Sequence, residues 1–132
     1  MDIIYNPLTM KTNQIPINLE QIYQRLNIPP ETLANFCQKN QIRELSLFGS
    51  VLREDFNENS DIDLLVVFDS DVTNPMSLMD LVKIQYELED LIQRKIDLIE
   101  KRSVIDSHNW IRRQNILNTA QTIYEARSFL FT

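Results

Sequence analysis

Glycine occurs once in these 132 residues, at Gly49, and cysteine once, at Cys37. A lone thiol excludes an internal disulfide and suits a reducing compartment, so a cytoplasmic location is expected. Cys37 falls in a helical stretch and reads as a small, half-buried hydrophobe rather than a nucleophile. The single histidine, His108, stands beside Trp110 and reads as a surface or packing residue. No apolar run approaches the roughly 20 residues needed to cross a bilayer, so no membrane is expected. The opening MDIIYNPLTMKTNQ lacks a basic start followed by an apolar block, so no secretory signal is expected there. Basic charge is also scarce: 13 Lys and Arg stand against 19 Asp and Glu, for a net charge of −6. The closest cationic groups are Arg94-Lys95, Lys101-Arg102 and Arg112-Arg113, and none forms the stripe that displaces counterions from a nucleic-acid backbone. A polynucleotide substrate is therefore disfavoured, and a basic protein partner suits the chain better.

The hydrophobic fraction of 43% and charged fraction of 24% are those of an ordinary globular protein, and residues 1–132 read as one domain. Residues 1–16 carry two prolines and no periodicity, as an extended arm would. Helices are expected within 17–40: Leu19 to Leu26, stopped before Pro29-Pro30, then Glu31 to Lys39 with Pro30 in its first turn. The core spans 43–100. In it Arg43 to Phe48 alternates like a strand that Gly49-Ser50 ends, and 53–60 (REDFNENS) is a polar loop. Asp61 to Phe68 is apolar after three residues, as a strand buried on both faces would be. Asp69 to Pro75 is a turn, and Met76 to Gln93 has helical spacing with Lys83, Glu87 and Asp90 between its apolar positions. Arg94 to Glu100 returns to a strand. The segment 103–127 is expected to be helical, with its last helix over Ile111 to Ala126 on the spacing of Ile116, Ala120 and Ile123. The order indicates a small α/β fold, a three- to four-stranded mixed sheet flanked by helices.

Because the other loops are built without glycine, Gly49 at a strand end points to a local steric need, either positive φ or close approach of backbone to a ligand. Ser50 follows where free backbone N–H groups attract phosphate, and its hydroxyl adds one more bond. Alone, a Gly-Ser pair is a turn. Asp61 and Asp63 stand at i and i+2, which puts both carboxylates on one strand face, about 7 Å apart along the backbone, with Ile62 opposite. Two such charges repel and lose hydration, a penalty that a divalent cation removes; Mg²⁺ favours one or two carboxylates with waters and phosphates. Yet ten aspartates in 132 positions give roughly 0.8 Asp-x-Asp pairs by chance. Asp69 and Asp71 form a second pair, read as solvated turn residues, so the pair alone decides nothing.

The combination does. Gly49-Ser50, ten residues, then Asp61-Ile62-Asp63 resembles the signature of the DNA polymerase β-like nucleotidyltransferase superfamily. The stretch LSLFGSVLREDFNENSDIDLLVVFD is similar to its minimal nucleotidyltransferase (MNT) branch, small prokaryotic proteins often paired with HEPN-type toxins. The resemblance covers Leu45 to about Glu100 and, more loosely, ILNTAQTIYE; residues 1–30 have no counterpart. It implies a third carboxylate on a later strand, and Asp97 in KIDLIE holds that place, with Ile96 and Leu98 turned away. Many relatives carry glycine after the arginine at position 53, where this chain has Glu54, which leaves the path of the loop open.

The resemblance implies transfer of a nucleoside monophosphate from an NTP, ATP in the first instance, to a hydroxyl. Two Mg²⁺ ions would be held by Asp61 and Asp63, and the ion nearer the nucleophile also by Asp97, stabilising the attacking and leaving oxygens. Asp97 acts either as a general base or only as a metal ligand. Gly49 and Ser50 would grip the β- and γ-phosphates. Arg53 is a candidate for the same phosphates, with an ordinary surface arginine as the alternative. Little chain follows Asp97, which favours an acceptor presented by a separate protein. The resemblance supplies one, a HEPN ribonuclease toxin modified on a tyrosine and silenced within a toxin–antitoxin hetero-oligomer. Two other readings stand beside this one: a catalytically silent antitoxin acting by binding alone, and an antibiotic-type small-molecule nucleotidyltransferase. Intact Gly49, Ser50, Asp61, Asp63 and Asp97 weigh against the first, and the short C-terminal part against the second. Trp110, Phe129 and Phe131 are core-edge or partner contacts, and Tyr124 reads as packing.

Overall fold

The computed structural model describes residues 18–69 and 77–126. The expected arm over 1–16, Asp71, most of the turn before Met76, and Phe129 and Phe131 lie outside them.

Helix α1 (Leu19–Leu26) starts where Asn18 and Gln21 satisfy each other's backbone N–H groups, at 2.8 and 3.2 Å, and ends at Asn27 in the left-handed region. Helix α2 (Pro30–Lys39) has proline in its first turn. Strand β1 (Ile42–Phe48) runs into a single 3-10 turn, Gly49–Leu52, and the loop then leads to β2 (Ile62–Phe68). A second reciprocal cap, Ser77 with Asp80, opens α3 (Leu78–Ile92), which crosses over to β3 (Ile96–Glu100). Helices α4 (Lys101–Ile105) and α5 (Trp110–Thr119) follow, and β4 (Gln121–Glu125) closes the sheet.

The strand order is β3-β2-β1-β4, with β2 and β3 parallel and the other two pairs antiparallel, so the expected three- to four-stranded mixed sheet is found with four strands. Residue parity sorts the sheet's two faces. Leu45, Leu47, Ile62, Leu64, Val66, Ile96 and Leu98 lie in one apolar cluster with residues of α1, α2 and α3. Phe48 and Leu65 lie in a second with Val104 of α4 and Ile116 of α5. Apolar cover on both faces is why β2 reads as a near-continuous apolar run.

One expectation fails. The helix expected over Ile111 to Ala126 stops at Thr119; Ala120 is extended (φ −62°, ψ 141°), and Gln121–Glu125 is a strand. Ile116, Ala120 and Ile123 mimic helical spacing, but Thr122-Ile123-Tyr124 is a β-branched and aromatic run that fits a pleated surface. The open edge of β1 decides between them. Pairing with β4 satisfies that edge, Ser46 and Thr122 hydroxyls meet at 3.2 Å across it, and Tyr23 donates from α1 to the Ile123 carbonyl at 3.1 Å. The segment expected to be helical over 103–127 is thus two helices and an edge strand.

Candidate active site

The site forms where β1 ends and β2 begins. Phe48 is paired with Asp63, so Gly49 leaves the sheet directly beside that carboxylate. Gly49 has φ +81°, but positive φ alone does not demand glycine here, because Asn27, Gln41 and Gln93 adopt φ of 61°, 58° and 63°. The demand is for space. A Cβ on Gly49 would overlap Oδ2 of Asp63 and lie 3.3 Å from its Cγ. Ser50 follows in the 3-10 turn, half-exposed, and its hydroxyl makes no hydrogen bond among the described residues.

On the other side of β2, Asp63 is the parallel neighbour of Asp97. Asp61 precedes the strand with the same parity as Asp63, and Ile62, Ile96 and Leu98 are buried on the opposite face. All three carboxylates therefore share the face that α4 and α5 cover further along. Asp61 and Asp97 are exposed; Asp63 is half-buried. Burial pushes the Asp63 carboxyl above its usual range, and the charges of Asp97 and then Asp61 push it further, while Arg53 and Arg112 pull it down. Of these neighbours, Arg112 had no signal in the sequence beyond its membership of a cationic pair.

The loop between Gly49 and Asp61 is held by residues that sequence reasoning passed over. The Phe56 ring lies between two guanidinium groups, Arg25 at 5.1 Å and Arg94 at 4.4 Å from its centroid. Arg25 also donates to the carbonyls of Val51 and Arg53 at 2.8 and 2.6 Å, and Arg94 to those of Asn57 and Ser60 at 2.8 and 2.7 Å. Asn57 and Ser60 close the tip on themselves. This clamp settles the loop's path without a glycine after Arg53, and it fixes the residue immediately before Asp61. Arg53 itself turns to Asp55, Nε to Oδ1 at 3.1 Å. His108 and Trp110 are exposed, which removes the core-edge reading of Trp110.

The donor set suits a hard cation. Three carboxylates supply only oxygen, and the mutual repulsion at Asp63 is the penalty a divalent ion removes. Among the described residues no group of three or more His, Cys, Asp or Glu side chains is placed so that it could hold a metal ion. Mg²⁺ asks for only one or two carboxylates, with waters and substrate phosphates as its other ligands.

A glycine held against a strand carboxylate, with a second carboxylate in register on the next parallel strand, marks this end of the α/β sheet. The chain belongs to the nucleotidyltransferase domain family, which it matches over residues 30–123. A Methanocaldococcus jannaschii protein provisionally named a protein adenylyltransferase is 39% identical over 67 residues, 51% of this chain and 64% of that protein, so just under two thirds of that relative is spanned. Among solved structures, one described provisionally as a minimal nucleotidyltransferase superposes with a TM-score of 0.56 at 27% identity, covering 79% of this chain and 94% of the other. A toxin–antitoxin crystal structure with AMP-PNP gives a TM-score of 0.57 at 17% identity over 76% of each chain, which shows a shared fold.

Proposed function

We propose that this chain is an antitoxin that transfers AMP from ATP to a hydroxyl, a tyrosine in the first instance, of a cognate HEPN-type ribonuclease toxin and thereby silences it. The observation that carries the reading is the row Gly49, Asp63, Asp97 across β1, β2 and β3. Gly49 lets the triphosphate approach the backbone, and Ser50 offers its hydroxyl and N–H to the β- and γ-phosphates. Asp61 and Asp63 would hold Mg²⁺ with the phosphates, and Asp97 would join them on the side where the acceptor hydroxyl arrives. When bound, the ions lower the charge on the attacking and leaving oxygens of an in-line displacement. Asp97, exposed on the edge strand β3, would meet an acceptor entering from outside, either as a general base for its proton or only as a metal ligand.

The acceptor reading draws on the M. jannaschii relative, named for protein adenylylation, and on the toxin–antitoxin assembly that shares the fold. The net charge of −6 suits a basic, RNA-cleaving partner, and Trp110 and Ile111, 61% and 66% exposed near the site, offer apolar contact. Among the described residues no helix is long and apolar enough to cross a membrane.

The test is to incubate the chain with ATP, Mg²⁺ and the protein encoded by the neighbouring gene, and to weigh that protein. A gain of one or more AMP units, lost with Asp61→Ala/Asp63→Ala, is expected. Tight binding and inhibition with no mass change would overturn the enzymatic reading in favour of occlusion.

A further inference from the structure

We propose that Arg94, in the turn between α3 and β3, is the positioning residue for Asp61: it fixes that carboxylate where a cation and the nucleotide phosphates would meet it. The proposal deepens the nucleotidyltransferase reading above and rests on it.

The sheet leaves Asp61 unheld. Asp63 is laddered on both sides, to Phe48 of β1 and to Asp97 of β3, so strand pairing fixes Asp63 and Asp97 together. Asp61 stands one residue before β2 and belongs to neither ladder. It is exposed at the end of an irregular loop, where ordering a residue costs entropy that no strand partner offsets. The turn after α3 supplies what the sheet does not. Arg94 donates to the Ser60 carbonyl at 2.7 Å, and the Lys95 carbonyl accepts the Ile62 N–H at 3.0 Å. The residues on either side of Asp61 are thus tied to consecutive residues that lead directly into β3, the strand carrying Asp97.

The anchor is itself anchored. The Gln93 N–H donates to the Glu89 carbonyl at 2.7 Å, its side chain to the Asp90 carbonyl at 2.6 Å, and the Ile96 N–H to the Glu89 carboxylate at 3.0 Å, which fastens the turn to α3. The Arg94 guanidinium lies over Phe56, a ring packed on the main core, while the nitrogen that reaches Ser60 also reaches the Asn57 carbonyl at 2.8 Å. A planar fork can stack on a ring and donate to carbonyls at once, which a point-like ammonium does less well. Among the described residues Arg94 makes no hydrogen bond or ion pair with Asp61 itself. It orders the backbone that carries the carboxylate and leaves the carboxylate oxygens to other ligands. Arg25 is the internal comparison: it lies against the same ring and donates to two carbonyls, but those belong to Val51 and Arg53, at the Gly49 end of the loop.

Equilibrium binding of α,β-methylene-ATP to the full chain, repeated across a Mg²⁺ series, tests this without turnover, because the bond to be cleaved is blocked. Arg94→Ala should raise the Mg²⁺ concentration for half-maximal binding on the order of tenfold, the scale of losing an outer partner of a metal ligand. Excess Mg²⁺ should then restore most of the affinity, and Arg94→Lys should recover part of the shift. Adding Arg94→Ala to Asp61→Ala should bring little further shift, since the two act as one unit. Arg25→Ala should move the Mg²⁺ requirement less and lose affinity that excess Mg²⁺ does not restore. An unchanged Mg²⁺ requirement in Arg94→Ala would overturn the assignment, as would equal shifts in Arg94→Ala and Arg25→Ala, which would mean general loosening of the loop. So would a full further shift on adding Arg94→Ala to Asp61→Ala. If a thermal melt shows that Arg94→Ala does not fold, Arg94→Lys carries the same comparisons. Failure of the unaltered chain to bind at any Mg²⁺ concentration would overturn the nucleotidyltransferase reading itself, a result distinct from any confined to Arg94.

Discussion

Gly49 and Asp63 meet at the end of the β1–β2 ladder with no room for a side chain on the glycine. The glycine backbone and the Asp63 carboxylate are thereby held against each other. Gly49→Ala must either move Asp63 or distort the turn, in addition to holding alanine at φ +81°. The conformational term alone is about 1–2 kcal/mol. A lowered melting temperature together with lost ATP binding is expected; an unchanged melt with full binding would contradict the contact.

The Asp63 anion is costly to the fold, and the proposed function requires it. Its carboxyl is disfavoured as an anion by burial and by Asp97 and Asp61, so Asp63→Asn relieves repulsion. Stability should hold or rise while AMP transfer falls by on the order of 10²-fold or more, the scale of losing one group that stabilises the transition state. Paired denaturant melts and transfer assays read both, and a variant that lost stability and activity together would speak for a structural role.

The arginine clamp on the loop should be visible without any assay of activity. Removing Arg94 takes away a ring contact with Phe56 and two donations to carbonyls, about 1–3 kcal/mol in all. Arg94→Ala should speed amide hydrogen exchange at Asn57 to Ser60 ahead of the sheet. Uniform acceleration across the sheet instead would mean that the loop is not held locally.

β3 is an edge strand whose outward N–H groups are covered from α3: Ile96 donates to Glu89 at 3.0 Å and Leu98 to Gln85 at 3.1 Å. Replacing both acceptors with alanine bares two donors between which Asp97 sits. Concentration-dependent association by light scattering is expected, since an exposed edge is a pairing template. A strictly monodisperse double variant at all concentrations would argue that the cover is dispensable.

Alkaline stability follows from the α1–α2 core. Burial raises the Cys37 thiol from 9.0 to about 12, and Tyr23 is raised by burial and then by the Cys37 charge. The folded chain keeps protons that the unfolded chain releases, so this contribution is whole below about pH 9 and is lost as pH rises towards 12. Urea midpoints should fall over that range, and less steeply in Cys37→Ala after each is referred to its value at pH 7. Equal slopes would place the titration elsewhere.

Much of the site could be read from residue types and spacing because it depends on local geometry. Parity puts Asp61 and Asp63 on one face, and a lone glycine at a strand end announces a steric constraint. The loop was not readable in the same way: REDFNENS looks like solvated chain until Arg25, thirty-one positions before Phe56, and Arg94 arrive from other elements to hold it. The charge of Arg112 on Asp63 is hidden for the same reason, since it comes from an element far along the chain.

Local sequence therefore determined the helix starts at Asn18 and Ser77, the buried strand β2 and the Gly49/Asp63 pairing of residue types, because caps, parity and steric demand act over a few residues. Tertiary structure decided that Gln121–Glu125 is a strand, since only the unpaired edge of β1 favours extension over the helical spacing also present. It also decided where Arg53 turns, since its guanidinium is drawn to Asp55.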